Sequence, residues 1–229
     1  MSIPDLPALA SLIGDRARLA MLDALVDERD LPASELARRA GVSASTASTH
    51  LAKLVDGGLL SVERSGRQRR YRVAGPAVAS AVEALVAIAP TRRTHSLREA
   101  TRIELLRDGR TCYDHLAGRL GVELTSALED GGILRRRRSE YVLTRRGEQA
   151  LAEIGVDVAS ARAQRRRFAF PCLDWTERRH HLAGALGAAV AGRLFAVEWV
   201  ERVGSTRAAA LTKRGRRELR SRFGLEAPR

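Results

Sequence analysis

Apolar residues recur at helical spacing along most of the chain, and at two points they alternate at the two-residue spacing of a hairpin. Residues 5–13 are a short apolar stretch that predicts a helix. Residues 16–26 place Leu19, Leu22, Leu25 and Val26 on one face, the pattern of a first core helix. Pro32 suits a first helical turn, and Leu36, Ala37 and Ala40 make a short inward stripe that Gly41 can end in a left-handed conformation. Ser43 is a good N-cap for the next helix, where Ala47, Leu51 and Leu54 face inward at i, i+4 and i+7 before Asp56-Gly57-Gly58 stops it. Leu60 and Val62, a Ser65-Gly66 turn, and Tyr71 and Val73 then read as strand, turn and strand.

The polar side of this pattern carries chemistry. The helix after Ser43 exposes Ser45, Thr46, Ser48, Thr49 and Lys53. So many short hydroxyls make a poor helix by propensity, yet they suit a helix lying in a DNA major groove, where small polar side chains reach base edges. Arg64, Arg67, Arg69 and Arg70 cluster at the tip of the hairpin. Two helices followed by a basic hairpin form a winged helix. The expected DNA-contacting set is Ser43, Ser45, Thr46, Ser48, Thr49, His50, Lys53, Arg64, Arg67, Arg69 and Arg70, with His50 on a phosphate or the backbone.

Residues 76–89 continue with Val78, Val82, Leu85, Val86 and Ile88 on an alanine-rich helix suited to close helix–helix packing. Ala89-Pro90-Thr91-Arg92-Arg93 marks the boundary, giving a DNA-binding domain at 1–90 and a second domain at 91–229, to which the family resemblance set out below adds dimerisation for the first and sensing for the second. Beyond the boundary the chain echoes itself. Residues 96–106 resemble a first core helix. His115-Leu116-Ala117-Gly118-Arg119-Leu120-Gly121-Val122 parallels the stretch from Glu35 to Val42, and Asp130-Gly131-Gly132 parallels Asp56-Gly57-Gly58. A basic hairpin at 135–144 holds the wing position, its Arg135–Arg138 run alternating faces. The slot between Val122 and Asp130 predicts a recognition helix shortened by nearly two turns. A third copy begins at His181-Leu182-Ala183-Gly184 and ends in Leu211-Thr212-Lys213-Arg214-Gly215. The expected fold class is mainly α with small β-hairpins: an N-terminal winged helix-turn-helix, then a C-terminal unit of two divergent winged-helix-like repeats.

Composition narrows the function. Aromatic residues are only 4% of the chain, so cores must be built from Leu, Val and Ala, which favours packed helices. The formal charge is +13, but residues 1–90 hold 11 Lys/Arg against 10 Asp/Glu, so the excess lies behind the groove-reading module. A basic surface of that size predicts a polyanionic partner and a steep salt dependence. No apolar run reaches the roughly 18–20 residues of a membrane span, no signal peptide opens the chain, and two cysteines do not suggest a disulfide framework. The expectation is a cytoplasmic protein with no membrane partner. No nucleophile–base set, phosphate loop or paired carboxylate site stands out, so an enzyme is not expected.

The segment covering residues 5–90 resembles the ArsR family of bacterial winged-helix repressors. The resemblance rests on Gly14-Asp15-Arg16-Ala17-Arg18-Leu19, Glu35-Leu36-Ala37, Gly41-Val42-Ser43, Ser45-Thr46-Ala47-Ser48-Thr49-His50-Leu51 with Leu54, and Gly66-Arg67 with Tyr71. It implies a homodimer joined near residues 8–14 and 76–89, bound to a partly palindromic operator in duplex DNA. The family usually couples DNA release to a metal or thiol event, but its common metal sites do not carry over. Leu31-Pro32-Ala33-Ser34 stand where one site places cysteines, and residues 76–89 hold no histidine.

Candidate sensing residues therefore come from the added half. Thr111-Cys112-Tyr113-Asp114-His115 reads as a helix start, with Thr111 as N-cap and Cys112 in a first turn that would stabilise a thiolate. Asp174 and Glu177 form a second capping pair, with Cys172 just outside and His180-His181 behind. Three readings stand. Cys112, His115, Cys172 and His180 or His181 could bind a soft metal or metalloid ion as inducer, no cofactor being otherwise required. Cys112 and Cys172 could be redox-active, or pair as a disulfide. Both could be buried structural cysteines, a common fate of this residue type. His95 reads as a helix-start residue. The function predicted is a homodimeric, sequence-specific DNA-binding repressor released by such a signal; the alternative class is an RNA- or ribosome-associated basic winged-helix protein.

Overall fold

The helical and two-residue periods separate cleanly in space. A computed structural model describes residues 3–27, 30–66, 68–90, 96–204 and 206–226. The chain divides into two compact units, Met1–Val82 and Glu83–Arg229.

The first unit runs α1 (Leu6–Ile13), α2 (Arg16–Asp27), β1 (Leu31–Pro32), α3 (Ala33–Ala40), α4 (Ala44–Asp56), β2 (Leu60–Ser65) and β3 (Gln68–Val73), and ends within α5 (Pro76–Ile88). Met21, Leu22, Leu25, Leu36, Leu51, Leu54 and Tyr71 fill its core. Gly41, at φ 67°, ends α3 in the left-handed conformation, and its N–H closes onto the carbonyls of Ala37 and Arg38. Ser43 Oγ then caps α4 by accepting from the Thr46 N–H. The antiparallel sheet has the order β1-β3-β2, a wing with a two-residue third strand that the alternation pattern did not predict. Leu19 departs from its expected inward place and is 41% exposed. Arg18 takes that place, its guanidinium donating to the carbonyls of Leu12 and Ser11 at the end of α1.

The second unit continues from α5 into α6 (Leu97–Asp108) and then makes two similar passes. The first is β4 (Arg110–Cys112), β5 (His115–Ala117), α7 (Gly118–Asp130), β6 (Leu134–Arg137), β7 (Glu140–Leu143) and α8 (Arg145–Glu153). After α9 (Val158–Ala163) the second is β8 (Phe170–Leu173), β9 (His180–Ala183), α10 (Gly184–Ala196), β10 (Val200–Arg202), β11 (Ala209–Leu211) and α11 (Lys213–Phe223). Each pass is hairpin, helix, hairpin, helix. Thr144 and Thr212 cap the final helices alike, each hydroxyl accepting from the N–H of a glycine, Gly147 or Gly215. Leu120, Leu124 and Leu128 of α7 share one core with Leu186, Val190 and Leu194 of α10.

This corrects the expected shortening. α7 and α4 are both 13 residues long. What changed is the element before the helix: a hairpin replaces the counterpart of α3, so α7 starts four residues before Val122. The fold class is as expected, mainly helical with small antiparallel hairpins. Among the described residues no helix is long and apolar enough to cross a membrane.

Candidate DNA interface and candidate metal centre

α4 buries Ala47, Leu51 and Leu54 and leaves Ser43, Ser45, Thr46, Ser48, Thr49 and Lys53 open. The hydroxyls are held by local bonds: Ser48 Oγ donates to the Ala44 carbonyl and Thr49 Oγ1 to the Ser45 carbonyl, while Ser43 bonds to both Ser45 and Thr46. These bonds keep the side chains short against the helix and leave oxygen lone pairs outward. The open face is thus a low ridge of acceptor oxygens with Lys53 as a donor, a shape suited to a groove lined with base edges. On the wing, Arg64 and Arg69 are exposed and directly opposite in the β2–β3 register. Two like charges facing across a hairpin destabilise it unless an anion lies between or beside them.

The second centre lies between the two passes of the C-terminal unit. The β4–β5 hairpin pairs Cys112 with His115 directly across a two-residue turn, and the β8–β9 hairpin pairs Cys172 with His181. One ligand atom from each of these four residues lies within 4.8 Å of all the others. Cys112, His115 and His181 are buried and Cys172 is half-buried. The imidazole rings are 5.1 Å apart, centroid to centroid. Gly121 and Gly187 permit this approach. A Cβ on Gly121 would collide with the Leu116 carbonyl, and one on Gly187 would lie 2.6 Å from the Leu182 carbonyl oxygen and 3.2 Å from Cβ of His115.

A carboxylate stands behind each histidine. Asp114 Oδ1 is 3.3 Å from Nδ1 of His115, and Asp174 Oδ2 is 3.3 Å from Nδ1 of His181, the latter without hydrogen-bond alignment. Nε2 of both rings is buried and has no hydrogen-bond partner among the described residues. Asp174 accepts from Nη2 of Arg110 (2.9 Å), the Gly118 N–H (2.7 Å) and the Thr176 N–H and hydroxyl. Against burial, which works upward, His181, Arg110 and Thr176 hold its carboxyl well below the usual carboxylate range. Arg110 is fully buried and also faces Glu83 of α5 at 4.0 Å, and Glu83 pairs closely with Arg207.

With this geometry in place, the chain can be set beside known proteins. Residues 13–63 match the helix-turn-helix domain family. Over 213 residues, 93% of the chain, it is 41% identical to an uncharacterized HTH-type transcriptional regulator, YdfF of Bacillus subtilis (strain 168), covering 94% of that protein. The chain belongs to the HTH-type transcriptional regulators. Among solved structures, the transcriptional repressor BigR from Xylella fastidiosa is 26% identical over 38% of this chain and 88% of its own, with a TM-score of 0.35. The homodimeric winged helix-turn-helix DNA-binding domain of Mb0332 from Mycobacterium bovis, a possible ArsR-family regulator, is 25% identical over 42% of this chain and all of its own, with a TM-score of 0.34.

In this regulator several expected site residues sit differently. His50 does not face outward: it is half-buried, its Nδ1 accepting from Nη1 of Arg18 at 3.3 Å with Asp15 at 3.9 Å. It ties α4 to α2. Arg70 is committed to Asp30, donating from Nε at 3.0 Å and Nη2 at 2.8 Å, which braces β3 rather than the wing tip. Arg67 and His95 lie outside the described residues. Thr111 and Cys112 do not begin a helix. Their strand is held extended by the Thr111 N–H donating to the Arg207 carbonyl and by pairing with β5. Cys112 is therefore no helix-end thiolate: the adjacent Cys172 thiol and burial push it up to about 12. Asp174 caps a turn instead of a helix. His180 stands apart from the cluster, its Nδ1 accepting from Arg136. Asp114, Arg110 and Glu83 were missed as parts of this site. A repeated Cys-x-Asp, Cys112-Tyr113-Asp114 and Cys172-Leu173-Asp174, was the signal for the first.

Proposed function

We propose that this regulator is a homodimeric, sequence-specific repressor acting in the cytoplasm, released from duplex operator DNA when a soft metal or metalloid ion binds at Cys112, His115, Cys172 and His181. The DNA reading is carried by α4, whose packed apolar side leaves an unobstructed polar face. Dimerisation is supported by α1, an apolar helix that buries none of its residues in the chain, with Leu6 69% exposed. The signal reading is carried by the convergence of two thiols and two imidazoles in one buried cluster. These are the only two cysteines of the chain.

The decisive measurement is fluorescence anisotropy of the full-length protein on DNA from upstream of its own gene, with and without added metal. Binding is expected at low metal and release on titration. Thr46→Glu should lower operator affinity at least about 100-fold, since it sets a charge against phosphates and removes a base-edge contact, with the dimer unchanged by light scattering. Retained binding in that variant would misplace the groove-reading helix, and preference for structured RNA over duplex DNA at moderate salt would favour an RNA-binding role. A second reading, disulfide formation between Cys112 and Cys172, draws on the same sulfur proximity. The high pKa of Cys112 weighs against it, because the thiolate is the attacking species. Release by a thiol oxidant but not by any metal would favour it.

A further inference from the structure

We infer that the four-residue cluster is a closed tetrahedral site for one divalent ion of the zinc class, held by Sγ of Cys112 and Cys172 and Nε2 of His115 and His181. This rests on the metal reading above and narrows it to one kind of ion. The argument begins with the donors. Each hairpin supplies one thiol and one imidazole from directly paired positions, so the four groups approach from two sides of a common centre. Zinc with two sulfurs at about 2.3 Å and two nitrogens at about 2.0–2.1 Å gives a tetrahedron with edges of about 3.3–3.8 Å. The ligand atoms already lie within 4.8 Å of one another, so closure needs small side-chain adjustments rather than a new backbone.

The carboxylates fix which nitrogen binds. Metal-ligating histidines commonly donate their other N–H to a carboxylate, which sets the tautomer and aims the ring. Asp114 and Asp174 stand beside the two Nδ1 atoms at 3.3 Å each, and both Nε2 atoms are buried without a hydrogen-bond partner among the described residues, as is Nδ1 of His181. Unpaired buried polar atoms are costly, and three ring nitrogens of the cluster are in that state; a cation would satisfy the two Nε2 atoms, and a small turn of the His181 ring would bring its Nδ1–H onto Asp174.

Charge separates the candidate ions. Two thiolates and two neutral imidazoles carry two negative charges, which a divalent ion cancels, and a buried site favours a neutral sum. A monovalent soft ion would leave a net negative charge and has no need of the imidazoles. A trivalent metalloid seeks three thiolates, and the chain has two cysteines. Four protein ligands leave no open position, so the site holds its ion and does not activate water.

The test is metal binding by the full-length protein under reducing conditions. One Zn2+ per chain is expected. Co2+ should give the intense visible bands of four-coordinate geometry with near-ultraviolet sulfur-to-metal charge transfer, displaced stoichiometrically by Zn2+. Cys172→Ser and His115→Gln should each abolish the four-coordinate spectrum, and Asp114→Asn should weaken Zn2+ binding about 10–100-fold. Circular dichroism and operator binding by the variants control for folding, and the wild-type Co2+ spectrum needs no variant at all. A weak, six-coordinate Co2+ spectrum overturns the assignment. So does tight binding of arsenite or Cu+ that survives His115→Gln; that result would leave a metal-responsive regulator with a different ion. Absence of any metal binding, with release by oxidant alone, would remove the metal reading as well.

Discussion

Cys112 shows how a residue's meaning changes with its backbone. A cysteine in a helix's first turn is a reactive thiolate; on a buried strand beside a second thiol it is a protonated one, pushed up to about 12. The direction has a consequence for binding. Because the metal ligand is the thiolate, an ion arriving near neutral pH must displace the Cys112 proton. Metal affinity is therefore expected to fall as pH falls, by about tenfold per pH unit for each proton displaced. Titration calorimetry in two buffers of different ionisation enthalpy should report release of at least one proton per ion near neutral pH; no release would mean that Cys112 is already ionised or is not a ligand. The pairing of Cys112 with His115 was legible in sequence because both cysteines adjoin a His-Leu-Ala-Gly phrase. The choice of His181 over His180 was not, because it depends on which face of β9 turns inward. His50 sits differently from its expected place for a related reason: it adjoins the open face of α4, but Arg18 of α2 and Asp15 just before that helix engage its ring.

At the level of elements, the winged helix was readable almost to its ends, since caps, a glycine stop and strand alternation all act within a few residues. The hairpins that replace the α3 counterpart were not, because their extended state is held by distant partners such as the Arg207 carbonyl. α5 is the element where the two units meet in sequence, running from Pro76 to Ile88 across their division. Its Glu83 is buried and pairs with Arg207, while Arg110 stands between Glu83 and the carboxylate behind His181. If the Cys112–His115–Cys172–His181 cluster binds an ion as proposed, that chain of charges is the route by which α5 would register it. Glu83→Gln would remove the carboxylate from the buried Glu83–Arg207 pair, while Arg110 keeps Asp174, and breaking such a pair typically costs about 3–5 kcal/mol. Denaturant unfolding should register a loss of that order, and the metal-induced change in operator affinity should shrink while the Co2+ spectrum keeps its four-coordinate form. A full metal response in this variant would show that α5 does not carry the signal.

On the scale of the whole molecule, charge is placed apart from specificity. The formal charge is +13, yet residues 1–90 are nearly balanced, and Arg70 and Arg72 of the wing are taken up by Asp30 and Glu63. The surplus is concentrated in elements such as α11, which buries Gly215, Leu219 and Phe223 and exposes Lys213, Arg214, Arg216, Arg217, Arg220 and Arg222 with Glu218 as its one acid. An open helix face of that charge attracts a phosphate backbone without reading its sequence. On the proposed reading, base contacts from α4 would set which site is chosen, and basic surface elsewhere would set how tightly any DNA is held. Replacing Lys213, Arg217 and Arg220 together by alanine is expected to weaken operator and random duplex alike. The slope of log affinity against log salt should become shallower by about 2–3, close to one for each phosphate no longer neutralised. The ratio of operator to random binding should stay within about threefold, since no base contact is touched. An unchanged salt slope would place the phosphate contacts on the wing and α4 alone; a collapsed specificity ratio would mean that α11 takes part in choosing the site.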